Sequence, residues 1–157
     1  MNLSRHRARA VACVLALLAG LPATPVPAQA ATAPARYEAE TATVSQGVVE
    51  SNHAGYTGSG FVNYDNVTGS YVEFAVSAAA TGPQSLTFRY ANGTTTDRPM
   101  SVTVNGTPVA ASRSFPGTGA WTTWQEVAVT ATLTAGANTV RATATTAGGG
   151  PTSTGCA

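Results

Sequence analysis

Tyr71-Val72-Glu73-Phe74-Ala75-Val76 alternates apolar and polar side chains with a period of two. Successive strand residues point to opposite faces, so this stretch reads as a half-buried strand with one apolar face. Gln84-Ser85-Leu86-Thr87-Phe88-Arg89-Tyr90 and Met100-Ser101-Val102-Thr103-Val104 repeat the pattern, and Trp124 to Leu133 and Asn138 to Thr146 follow it. Asn105-Gly106 stands between Val104 and Val109, a strong signal for a two-residue hairpin turn. No stretch sustains a helical period. Eight or nine short strands at near-regular spacing predict an all-β fold, a two-sheet β-sandwich of jelly-roll type.

The 157 residues allow one domain, since a single core is typically built on about 100 to 150 residues. The formal charge of +1 hides an uneven distribution. Arg5, Arg7 and Arg9 precede an apolar block from Ala10 to Leu21 and the small-residue site Ala28-Gln29-Ala30, while all seven acids lie beyond residue 37. This is the pattern of a secretory signal over residues 1–30, so the chain is expected to be secreted and extracellular. The block is shorter than the ~20 residues that span a bilayer, and Pro22, Pro25 and Pro27 end it, so no membrane association is expected after cleavage. Removing 30 of the 157 residues leaves 127, with five arginines against seven acids and a net charge of −2. That balance gives no basic surface for nucleic acid. Cys13 leaves with the signal and Cys156 remains alone, so an intrachain disulfide is excluded from the expected mature chain. Residues 31–35 read as a short linker, 36–151 as the folded module and 152–157 as an atypical tail.

Catalytic constellations are scarce. The expected mature chain has one histidine, His53, and no lysine. A lone loop histidine reads as a solvated or hydrogen-bonding residue rather than a general base, which needs an orienting partner. Glu38 and Glu40 in Tyr37-Glu38-Ala39-Glu40 would project from one strand face about 6 to 7 Å apart. Two like charges that close favour a cation between them, and oxygen ligands without imidazole or thiolate suit Ca²⁺. Exposed strand acids and a glycosidase carboxyl pair are the alternative readings. Trp121 in a turn-rich segment and Tyr56 among glycines are candidates to stack on sugar rings, while Trp124 reads as a core residue.

Taken in order, several segments form one set. They are Tyr37-Glu38-Ala39-Glu40, His53-Ala54-Gly55-Tyr56 with Gly60-Phe61-Val62, Tyr71-Val72-Glu73-Phe74, Phe88-Arg89-Tyr90-Ala91-Asn92-Gly93, Arg98-Pro99, Val104-Asn105-Gly106, Trp121-Thr122-Thr123-Trp124, and Leu133 to Val140. The set resembles the carbohydrate-binding modules of family 35, which are close to family 6, over about Arg36 to Pro151. The resemblance implies a noncatalytic β-jelly roll that binds plant or microbial polysaccharide, usually attached to a glycoside hydrolase or lyase. It implies that Glu38 and Glu40 ligate a structural Ca²⁺. It also implies a sugar cleft formed by Trp121, Asn92 and Arg98 with a tyrosine, Tyr56 or Tyr64. The Arg98 guanidinium would pair with the carboxylate of an acidic sugar, making uronic-acid glycans the preferred ligands.

After Gly148-Gly149-Gly150-Pro151 the family pattern continues as Asn-Leu-Asp and a final strand, whereas this chain reads Thr152-Ser153-Thr154-Gly155-Cys156-Ala157. The final strand is therefore expected to be missing, with a metal ligand and a sugar ligand lost. A monomeric polysaccharide-binding protein is the expected outcome. An adhesion or interaction sandwich is the rival binding reading, and a small glycan-active enzyme the catalytic one.

Overall fold

A computed structural model describes residues 35–157. The expected signal sequence lies outside the described residues, as does the expected linker apart from Ala35. The strands are β1 (Tyr37–Glu38), β2 (Thr43–Ser45), β3 (Gly47–Glu50), β4 (Phe61–Tyr64), β5 (Tyr71–Ala78), β6 (Gly82–Ala91), β7 (Met100–Val104), β8 (Thr107–Arg113), β9 (Gln125–Leu133), β10 (Gly136–Ala144) and β11 (Thr152–Cys156). A 3-10 turn, Ala39–Thr41, separates β1 from β2. One sheet runs β3-β4-β11-β6-β9 with β1 also paired to β11, and the other runs β2-β5-β10-β7-β8. Every strand pairing is antiparallel.

The alternating runs become the facing inner surfaces of these sheets. β5 buries Val72, Phe74, Val76 and Ala78, and β10 buries Val140, Ala142 and Ala144. From the other sheet, β6 contributes Leu86, Phe88 and Tyr90, and β9 contributes Val129, Ala131 and Leu133. Phe74 meets Phe88 across the core at 6.4 Å between ring centroids, and Phe115 closes one end edge-on to Tyr90 at 5.0 Å. The β7–β8 hairpin turns at Asn105 (φ 50°) and Gly106 (φ 78°), the pair of left-handed residues that the Asn-Gly dipeptide supplies at low cost.

The expectation that the final strand is missing is overturned. Thr152–Cys156 forms β11, inserted between β6 on one side and β4 and β1 on the other. Tyr37 pairs with Cys156 and Glu38 with Gly155, so the first strand has a partner along its short length. Ser153 pairs with Val62, and Thr152 and Cys156 pair with Ala91 and Phe88. The ladder continues through Ala157, which exchanges bonds of 2.7 and 2.9 Å with Thr87.

A buried Thr-Ser-Thr run is tolerated because its hydroxyls find acceptors. Thr152 Oγ1 donates to Ala91 O at 2.9 Å, Ser153 Oγ to Pro151 O at 3.4 Å and Thr154 Oγ1 to Thr57 O at 3.1 Å. Gly155 permits close approach of β1, since a Cβ there would lie 2.9 Å from Tyr37 O. Beside it the Cys156 thiol is buried, which pushes its pKa from 9.0 up to about 12.

Gly155→Val should therefore press β1 off β11 and lower stability by ~1–3 kcal/mol, the usual cost of overpacking. Cys156 supplies a local readout. Its thiol should resist alkylation at pH 8 in the native protein and label faster in the variant; equal labelling rates would show that β11 is not docked as described.

Candidate functional site

Two clusters form around one loop, residues 51–60, which joins β3 to β4. The loop is pinned from outside: Trp124 Nε1 donates to Ala54 O at 2.9 Å and Arg89 Nη2 to Gly55 O at 2.8 Å. Trp124, read from sequence as a core residue, is half-buried and lies 5.7 Å from the Phe61 ring.

The first cluster contains the two glutamates, though not on one strand face. β1 ends at Glu38, and the 3-10 turn closes through Ala42 N–H to Ala39 O, so Glu40 is carried off the strand. The carboxylates instead converge on residues 57–59. Thr57 Oγ1 donates to Glu38 Oε2 at 2.7 Å, and Ser59 N–H donates to Glu40 Oε1 at 2.6 Å. Gly58, at φ +66°, leaves room for Glu40, whose Oε1 would meet any Cβ placed there. Thr154 of β11 joins the same network, 3.0 Å from Thr57 Oγ1. Glu40 Oε2 is buried with no hydrogen-bond partner. Such an atom is costly unless something cationic or donating reaches it. Among the described residues no group of three His, Cys, Asp or Glu side chains converges, so the acids number two and the remaining donors are hydroxyl and carbonyl oxygens. A set made only of hard oxygens fits Ca²⁺ in type.

The second cluster surrounds a polar cavity of about 270 Å³ lined by His53, Asn63, Asn66, Arg98, Trp121 and Thr152. Three rings stack beside it. His53 lies 5.7 Å from Phe61 and 6.2 Å from Trp121, with planes inclined by only 13° and 12°. Arg98 Cζ lies 5.5 Å from the Trp121 ring centroid, within cation–π range. Gly93 gives Trp121 its seat, because a Cβ there would lie 2.6 Å from the indole.

Arg98 Nη1 donates to Asn66 Oδ1 at 3.1 Å and to Gly150 O at 3.0 Å. Among the described residues Nη2 and Nε have no protein partner and no carboxylate pairs with the guanidinium. Partial burial lowers its pKa from the ordinary value, the expected sense for a cation removed from water.

Of the residues expected at a sugar cleft, the structure brings Arg98 and Trp121 together. Tyr64 is instead a core residue on β4, 3% exposed, with its hydroxyl 3.4 Å from Ser153 Oγ and its pKa raised by burial. Asn92 is also buried, and its Nδ2 donates to Thr96 O and Phe115 O while Oδ1 accepts from Thr94. It shapes the loop that carries Arg98 and has no free face for a ligand. Tyr56 packs 5.9 Å from Phe61 and does not line the cavity. His53, Asn63, Asn66 and Thr152 are the additions. Only the stacking of His53 with an aromatic from a distant loop reveals its place, and a single sequence carries no signal for that.

A second groove of about 310 Å³, bordered by Tyr37, Val76, Leu86 and Leu133, is mainly apolar, and its Tyr37 hydroxyl is already bonded to the Ser77 backbone.

The family model described as carbohydrate binding module (family 6) matches residues 38–153. An exo-beta-D-glucosaminidase of Amycolatopsis orientalis is 55% identical over 118 residues, which is 75% of this chain and 11% of that enzyme. The chain thus spans a small part of this curated relative. A family 35 carbohydrate-binding module from Clostridium thermocellum superposes with a TM-score of 0.78 at 48% identity, covering 80% of this chain and 96% of that one. A family 35 module in complex with a glucuronic-acid-containing disaccharide superposes with a TM-score of 0.71 at 39% identity, covering 78% and 90%.

The stacked rings generate a test of His53. His53→Ala should loosen Trp121 and shift its fluorescence, whereas His53→Phe should restore the wild-type spectrum because a flat ring again fills the gap. An alanine variant with an unchanged Trp121 environment would show that the histidine does not hold the indole.

Proposed function

The chain belongs to the carbohydrate-binding modules, matching the family 6 model and the family 35 structures, and we propose that it binds an acidic glycan in the cavity between Trp121 and Arg98. The observation that carries this reading is the half-buried guanidinium beside an indole, with Nη2 and Nε unpartnered among the described residues. A guanidinium edge matches a carboxylate bidentately, and an indole face matches the apolar C–H face of a pyranose. A uronic acid presents both groups on one ring. Asn63, Asn66, His53 and Thr152 surround the cavity with hydrogen-bonding groups suited to sugar hydroxyls. The cavity lining contains no carboxylate, whereas glycoside hydrolysis typically uses two carboxyl groups about 5 to 9 Å apart, which supports a noncatalytic role. A secretory signal at residues 1–30 would put the module where extracellular polysaccharide is found.

We further assign Ca²⁺ to the glutamate cluster. Glu38 and Glu40 would hold it with neighbouring hydroxyl or carbonyl oxygens, and the orphaned Glu40 Oε2 is the atom that supports this. The ion would neutralise two convergent carboxylates and fasten β1 and its turn to loop 51–60. Thr154 occupies the place nearest this network on β11 and supplies a hydroxyl rather than a third carboxylate.

Trp121→Ala should cost ~1–3 kcal/mol of binding to glucuronic acid, the scale for losing a buried aromatic face. Arg98→Ala should reduce affinity for glucuronic acid by about tenfold or more while changing affinity for a neutral sugar little, since hydrogen bonds to charged groups contribute about 1.5–3 kcal/mol. Calorimetry with glucuronic acid and glucose checks both. Equal losses for the two sugars would remove the carboxylate from the account.

For the metal, chelation should lower the melting temperature by about 5 °C or more, because an ion bound only by the folded state stabilises it by mass action. Glu40→Gln should melt lower in calcium and respond no further to chelator. Overlapping melting curves of the wild type with and without calcium would dispose of the site.

A further inference from the structure

A further groove, of about 470 Å³, shares a lining residue with the polar cavity. Arg98 belongs to both. The groove's other walls are Thr94, Thr96 and Asp97 from one loop and Thr146, Ala147 and Gly148 from another.

Both walls are already held in place. In the first loop the Asn92 amide donates to Thr96 O at 2.9 Å, Thr94 Oγ1 donates to Asn92 Oδ1 at 2.7 Å, and Phe115 N–H donates to Asp97 Oδ1 at 2.7 Å. In the second, Thr145 bonds Pro99 O through both its N–H and its hydroxyl, and Gly149 N–H closes a turn onto Thr146 O. Preformed walls reduce the ordering cost of binding.

We propose that this groove is a second subsite, which takes the neutral sugar adjoining the uronic acid. The inference rests on the acidic-glycan reading of the first cavity and extends it. Threonine methyls and hydroxyls suit a ring with alternating C–H and O–H groups, and Asp97, with Oδ1 committed to Phe115, retains Oδ2 to accept from a sugar hydroxyl. The acid also sets the charge of the guest. Arg98 is the single cation on the groove, it borders both subsites, and the uronic acid occupies its open edge. A second uronate would then face Asp97 without compensation.

Calorimetry on the full protein would use glucuronic acid, glucuronic acid linked to xylose, and glucuronic acid linked to a second glucuronic acid. The neutral-sugar disaccharide should bind about tenfold tighter than glucuronic acid, the scale of one or two net hydrogen bonds. The di-uronic probe should gain less. Ala147→Trp, at an exposed turn position, should fill the groove and abolish the disaccharide gain, leaving glucuronic acid within about twofold of wild type.

Should that variant fail to fold, Gly148→Gln is the second plug, because its Cβ meets only Thr146 Oγ1, at 3.6 Å. Asp97→Asn, which keeps the Oδ1 acceptor, should raise affinity for the di-uronic probe. Equal binding of glucuronic acid and its xylose disaccharide, or a gain that survives the filled groove, would overturn the subsite while leaving the first cavity standing. A di-uronic gain matching that of the xylose disaccharide would overturn the neutral assignment. Failure of all three probes to bind would remove both readings together.

Discussion

The rest of the molecule depends on a short polar strand accommodated in the middle of a sheet. β11 supplies partners to β1, β4 and β6 at once, so without it the sheet would separate into pieces. Its composition makes this demanding. Thr152, Ser153 and Thr154 are all buried, and an unsatisfied buried hydroxyl costs about 1–3 kcal/mol. Each hydroxyl has a carbonyl acceptor in reach, two of them on other segments. Satisfying those groups fixes where β4, β6 and loop 51–60 lie relative to one another.

That placement ties the two candidate sites together. Thr152 lines the polar cavity, while Thr154 bonds Thr57 beside the glutamates. Loop 51–60 repeats the connection from the other side, carrying His53 towards Trp121 and Thr57 and Ser59 towards Glu38 and Glu40. A displacement of this loop would therefore disturb the ring stack and the carboxylate network together. Trp124 and Arg89 hold the loop at Ala54 and Gly55, between its two working ends.

The strands legible in the sequence are those with one wet face. β5, β6, β7, β9 and β10 alternate because the sandwich buries one face of each, and Asn105-Gly106 announces its hairpin because few dipeptides favour two consecutive left-handed residues. β4 and β11 have little wet face and so no alternation. This is why no alternation marks Tyr64 as a core residue and Thr152 to Cys156 reads as a tail. The Glu38 and Glu40 spacing suggests two carboxylates close together, and they do converge, but not on one strand face, since the turn after β1 and the Gly58 loop bring them together. The family resemblance places Asn92 at the sugar cleft, but a buried amide with both ends engaged builds the loop instead. His53 shows the opposite failure, since its neighbours Trp121 and Phe61 come from segments that local pattern does not relate.

Among the described residues Glu40 Oε2 and Arg89 Nε are buried without a hydrogen-bond partner, and the half-buried Arg98 guanidinium is only partly satisfied within the protein. Arg98 is partly desolvated with no carboxylate beside it among the described residues. Glu40 and Arg98 carry opposite charge but do not neutralise each other, because Glu40 is bound into the 57–59 loop while Arg98 is fixed by Asn66 and Gly150 on another part of the sandwich. A fold selected for stability alone would pair such groups or replace them with apolar ones. Keeping them apart sets an oxygen-rich negative cluster at one end of loop 51–60 and a cationic edge over an indole near the other. Each is complementary to a small ligand of opposite charge, and places where local consistency breaks are where function is expected to reside.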